Sequence, residues 1–181
     1  MRSKLFAAGL AGSALVLGLA SPASADTAET IVTLTVSAED GLTISAPATA
    51  NIGAGNPGDT VSGQIGPVTV TDQRAALNAD WTTTVVATDF TTGGATEPET
   101  IPDINVLYWS GGATATSGSG TFTPGQAGAG DAQIINVPRT AFTHTGGSGD
   151  NSATWNPTLV VNIPSGVVAG VYTGTVTHTV L

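Results

Sequence analysis

Apolar and polar residues alternate with period two along much of this chain, and the sequence is poor in strong helix formers. Thr30-Ile31-Val32-Thr33-Leu34-Thr35-Val36-Ser37 has the alternation of a half-buried strand. Asp40-Gly41 follows as a turn, and Leu42-Thr43-Ile44-Ser45 resumes the pattern. Asn56-Pro57-Gly58-Asp59 is a second turn, with Pro fixing φ and Gly free to take positive φ. The same reasoning predicts strands over 65–72, 81–88, 104–109, 120–123, 132–137, 153–163 and 170–180. Loops rich in Gly, Ser, Thr and Pro separate them, over 91–102, 111–118, 124–130 and 145–151. Ala75-Ala76-Leu77-Asn78-Ala79 is the one segment suited to a helical turn. Many short strands with regular turn signals predict an all-β fold, an immunoglobulin-like β-sandwich in a single domain.

The first 25 residues carry a different pattern. Arg2 and Lys4 precede an apolar run from Leu5 to Ala20, and Ser21-Pro22-Ala23-Ser24-Ala25 ends in small residues. This order is that of a secretory signal peptide cut after Ala25, and the run is short for the about 20 residues a membrane span needs. The expected organisation is a signal peptide over 1–25 and one β domain over 26–181, secreted, with no membrane span or covalent anchor in the mature chain.

Charge narrows the partners. The chain has 4 basic and 13 acidic residues, for a formal charge of −9. Loss of Arg2 and Lys4 with the signal deepens this to −11, leaving Arg74 and Arg139 as the only bases. Nucleic acid and anionic lipid both need clustered Lys and Arg, so neither is an expected partner. There is no cysteine. Disulfides, thiol catalysis and zinc–cysteine sites are thereby excluded, and stability must come from strand pairing and apolar burial.

Candidate chemistry is sparse. Gly53-Ala54-Gly55-Asn56-Pro57-Gly58 spells G-x-G-x-x-G, but Pro57 and a turn-rich sequel replace the helix N-terminus that would meet a phosphate. The histidines are His144, beside a glycine-rich loop, and His178, in the last strand, and no G-x-S-x-G elbow accompanies them. Both read as solvent or strand-face residues. Glu97 and Glu99 flank Pro98, and Asp80 and Asp89 flank a strand. Paired carboxylates suit glycoside hydrolysis, but only 5% of the residues are aromatic. The expectation is that the chain is not an enzyme and has no catalytic residue or cofactor. A structural calcium is the open alternative, because Asp59, Asp72, Asp80, Asp89, Asp103, Asp131 and Asp150 fall near strand ends. Turn and capping duty accounts for Asp at such places equally well.

Aromatic residues offer the remaining signals. Trp81 and Trp155 each open a strand, where packing is the ordinary role and a sugar-stacking platform the functional one. Tyr172 follows a Gly turn at the start of the last strand. This is the placement of a tyrosine corner, whose hydroxyl bonds back to upstream backbone.

Several of these segments together resemble the WxL-domain surface proteins. They are Pro67–Arg74, Asp80–Phe90, Ala153–Leu159 and Gly170–Thr177. The resemblance covers residues 40–181. It implies a secreted β-rich domain that holds non-covalently to peptidoglycan beside other surface proteins, with Trp81 and Trp155 as candidate ligand-binding residues. The first family motif falls at Trp81-Thr82-Thr83, with Thr in place of Leu, and the second at His178-Thr179-Val180, without its Trp. Two other functions fit the composition. A structural subunit could assemble by strand addition, for which the Lys-free Thr30–Ser37 segment is suited. A small-molecule carrier is the other.

Overall fold

The computed structural model describes residues 29–37 and 41–181. The signal peptide expected over 1–25 and Asp40 of the expected Asp40-Gly41 turn lie outside them. The chain divides into two units, Met1–Thr35 and Val36–Leu181. The described residues 29–37 form neither strand nor helix. The strand expected over Thr30–Ser37 is therefore not made, and Ile31, Val32, Leu34 and Val36 are 79–93% exposed. Alternation gives a segment the two faces of a strand, but a strand also requires a hydrogen-bonding neighbour.

The second unit is an all-β sandwich. Its strands are β1 (Leu42–Ser45), β2 (Thr60–Gln64), β3 (Val68–Asp72), β4 (Trp81–Ala87), β5 (Phe90–Thr91), β6 (Thr100–Ile101), β7 (Val106–Trp109), β8 (Ala113–Ser117), β9 (Thr121–Pro124), β10 (Gln133–Ile134), β11 (Arg139–Thr145), β12 (Asn151–Trp155), β13 (Thr158–Asn162) and β14 (Val176–Val180). Three four-stranded sheets run β1-β3-β12-β8, β10-β7-β13-β2 and β14-β4-β11-β9, and β5 and β6 form a small ribbon. All the named pairings are antiparallel.

The alternating pattern builds the core where it is cleanest. In β4, Trp81, Thr83, Val85 and Ala87 point inward while the residues between them are partly exposed. In β3, Val68, Val70 and Asp72 do the same. The third sheet meets both others. Phe142 of β11 stacks on Trp155 of β12, with centroids 4.8 Å apart, and His178 of β14 lies 5.6 Å from Tyr108 of β7. Phe142, Trp155 and Tyr108 are fully buried. Each aromatic of this size contributes about 3–5 kcal/mol by the usual cost of its truncation.

Several expected elements change. The run expected over 153–163 is two strands. Pro157 cannot donate to a ladder, so the chain breaks at Asn156-Pro157 and passes from the first sheet into the second. The segment 104–109 opens with a 3-10 turn at Asp103–Asn105, and only Val106–Trp109 is strand. The last strand starts at Val176 rather than at Gly170, and Thr173 makes an isolated bridge to Thr91. Ala75–Ala79 is no helix. Ala75 takes φ +48°, and its N–H donates to Asp150 Oδ1 at 3.1 Å, so the segment is anchored as an irregular turn.

Candidate functional site

The two tryptophans singled out by the sequence lie in the interior. Trp81 is 2% exposed and Trp155 is 0% exposed. Trp81 sits among Phe122, Phe142 and His144, and its indole N–H donates to Asn151 Oδ1 at 2.8 Å. Trp155 stacks on Phe142 and donates to the Tyr108 hydroxyl at 3.0 Å. Neither ring offers an open face on which a sugar could stack. The strand geometry that opens β4 and closes β12 puts both on the inner side.

The histidines, expected at solvent or strand-face positions, both lie on strand faces that point inward, and His178 is only partly buried. His144 is 0% exposed. Its Nδ1 lies 2.8 Å from the Ala79 carbonyl oxygen and its Nε2 2.8 Å from that of Ser119. Both ring nitrogens are thus engaged with backbone oxygens, which fixes the ring in place. Gly147 lies close against this ring, where a Cβ would meet the Ser119 oxygen at 2.5 Å. His178 Nε2 lies 3.1 Å from the Tyr108 hydroxyl. Burial lowers its pKa to about 4. The same burial raises the Tyr108 pKa. Trp155 N–H donates to the Tyr108 hydroxyl, which donates to neutral His178, a hydrogen-bond chain across all three sheets.

Six of the acidic residues are occupied as structural acceptors. Asp72, fully buried, accepts from Arg74 Nε at 2.8 Å, Arg74 Nη2 at 2.7 Å and Asn151 Nδ2 at 3.3 Å. The Arg74 hydrogen bonds hold its carboxyl below the usual range. Asp59 closes the Asn56–Asp59 turn, Asp80 accepts from Gly146 N–H, Asp89 from Asp103 N–H and Asp150 from Ala75 N–H. Glu99 accepts from Thr96 and Gly94 at the 3-10 turn Glu97–Glu99. Among the described residues, no three acidic or histidine side chains gather where a metal ion would bind. Tyr172 donates to the Val168 carbonyl at 2.8 Å, with the Pro98 carbonyl at 3.2 Å as its alternative acceptor. This is the upstream backbone bond of a tyrosine corner.

Two surfaces remain. The first is the outer side of the second sheet. Val106 and Tyr108 of β7 are buried, while Leu107 and Trp109 between them are partly exposed. Of the three tryptophans, Trp109 is the one with part of its ring open. In register it stands opposite Thr158 of β13, which stands opposite the exposed Gln64 of β2. Gly111 takes φ +67°, and a Cβ there would lie 3.3 Å from the Trp109 ring, so glycine leaves the indole its room. This exposure was not legible in the sequence. Val106-Leu107-Tyr108-Trp109 is apolar throughout, and a run without alternation does not tell which side faces out. The second surface is a groove of about 830 Å³ between the second and third sheets, bordered by the 46–57 and 167–176 segments.

Comparison with family models, with curated proteins and with solved structures finds no match.

Proposed function

We propose that this chain is an exported, non-catalytic surface protein, related to the WxL domains, that holds non-covalently to cell-wall polymer. The observation that carries the binding surface is the partly exposed Trp109 on the outer side of the second sheet, with exposed Gln64 two strands away across buried Thr158. A sugar ring offers C–H faces to an aromatic and hydroxyls to neighbouring polar groups, and this sheet face presents both. The signal-like first 25 residues support export. A non-catalytic role is supported by the engagement of His144, His178, Asp72, Asp80, Asp89 and Glu99 in structural hydrogen bonds.

The acidity adds a condition. Wall glycan carries anionic polymer, and a chain of charge −9 or below meets it favourably only when cations bridge or screen the two. Binding should therefore rise with calcium or magnesium and with moderate salt. The test is co-sedimentation of the chain with purified wall, with and without a chelator, for wild type and Trp109→Ala. Wild type should pellet, and Trp109→Ala should bind about tenfold more weakly with unchanged folding. Failure of wild type to pellet under any cation condition refutes the reading.

A further inference from the structure

We propose that the Thr30–Ser37 segment of one copy of this chain adds as a strand to the open edge of β14 in a second copy. The acceptor edge follows from the ladder. Thr82 and Leu181 exchange both backbone hydrogen bonds at 3.0 Å, and β14 pairs with β4 in the same register. Bonded positions alternate along an antiparallel pair, so Thr177 and Thr179 also face β4, while the N–H and C=O groups of Val176, His178 and Val180 point away from it. β14 ends its sheet, and although β1 lies near it, no described residue pairs with that side. The side chains of these same three residues point inward but remain only half-buried.

The groove explains why. It opens beside β14, and its apolar wall includes Leu159 and Val161 from the second sheet and Ile163 just beyond it. One more strand beside β14 would cover it. An adding strand needs apolar side chains at alternate positions on one face, polar ones on the other, and no proline or lysine. Thr30–Ser37 has Val32, Leu34 and Val36 on one face and Thr33, Thr35 and Ser37 on the other. Its apolar residues are exposed and its backbone forms no ladder.

Charge favours a second copy as the source. The chain carries −9, so two copies repel over most of their surfaces. Thr30–Ser37 contains no ionisable residue, and the one titratable residue of Val176–Val180, His178, points inward and is uncharged at neutral pH. These are neutral faces on which two acidic molecules can meet. Donor segment and acceptor edge are different surfaces, so the contact is head-to-tail and each copy keeps a free donor or acceptor for the next.

The absence of cysteine makes the test clean. Copies carrying Thr33→Cys are mixed with copies carrying Thr177→Cys, and copies carrying Thr35→Cys with copies carrying Thr179→Cys, all exposed positions. A short bismaleimide then couples neighbouring thiols. The expected product is a covalent dimer joining the two variants, reduced at least tenfold when the donor also carries Leu34→Asp. In sedimentation the unsubstituted chain should gain mass with concentration, while Leu34→Asp stays at single-copy mass with an unchanged unfolding midpoint. Absence of a dimer in both mixtures overturns the proposal. So does coupling confined within one chain in the doubly substituted Thr33→Cys/Thr177→Cys variant. A fall in the Leu34→Asp midpoint without a change of mass overturns it too, because the segment would then belong to its own molecule's core.

Discussion

His178 makes the stability of the domain depend on pH in a calculable way. Its ring points inward from β14, 3.1 Å from the Tyr108 hydroxyl and with its centroid 6.5 Å from that of Trp155. Burial lowers its pKa from 6.5 to about 4. The folded state therefore binds this proton less readily than the unfolded chain. Above pH 6.5 both states hold the neutral ring and the effect vanishes. As pH falls from 6.5 towards 4 the unfolded chain takes up the proton first, and folding loses free energy. A tenfold difference in proton affinity is worth 1.36 kcal/mol, so the full gap corresponds to about 3 kcal/mol. Partial exposure of His178 to the groove beside β14 trims this towards about 2 kcal/mol. Urea unfolding at a series of pH values between 7.5 and 4.5 reads the loss directly. His178→Asn removes the titrating group while keeping a polar side chain near Tyr108, so its curve should be flatter than that of wild type by about 2–3 kcal/mol over this range. A constant offset between the two curves reports packing alone. Parallel curves would refute the reasoning, as would a wild type that gains stability at pH 5 relative to His178→Asn.

The acid limb below this window belongs to Asp72. Its lowered pKa means that its stabilisation is present above about pH 3.8 and is lost as pH falls through the folded value. Asp72→Ala removes the buried partner of Arg74 and Asn151, and should cost about 2–3 kcal/mol in urea unfolding at pH 7, softened because Arg74 is 35% exposed and can rehydrate. Tyr172→Phe deprives the Val168 carbonyl of its donor, while the Pro98 carbonyl keeps the Val168 N–H, and should cost about 1 kcal/mol in the same assay, with wall binding unchanged. Gly118→Ala meets both a φ of +92° and the Asp150 carbonyl oxygen at 2.6 Å, and should lower the thermal midpoint by several degrees. Far-ultraviolet circular dichroism should show β-structure without a helical double minimum, in protein refolded without any oxidant.

The all-β class was legible because β-branched residues alternate cleanly in β3 and β4, where one face is buried and the other is not. Strands without that asymmetry escaped. All five residues of β8 are exposed, so Ala113–Ser117 reads as a polar loop and is held by its ladder with β12. In β11 the register shifts between Thr140 and Phe142, which buries Ala141 and Phe142 in succession and erases the period. Thr30–Ser37 shows the reverse case: its alternation is good, but the period of a segment does not reveal whether a neighbour exists. The candidate site was less legible still. A tryptophan at the end of a strand carries no mark of which side it faces. The pairing of β12 and β4 sends Trp155 and Trp81 inward, and the position of Trp109 after buried Tyr108 sends it outward. The buried histidines were hidden for the same reason, since their acceptors come from Ala79, Ser119 and Tyr108, distant in sequence.

Fractionation of the producing cells into wall, membrane, cytosol and medium tests the central claim most directly. The chain, beginning at Asp26, should accompany the wall fraction and be released intact by a chaotropic salt or a chelator without digestion of the wall. Recovery from the cytosol with Met1 in place, or release from the wall only after its enzymatic digestion, would contradict it.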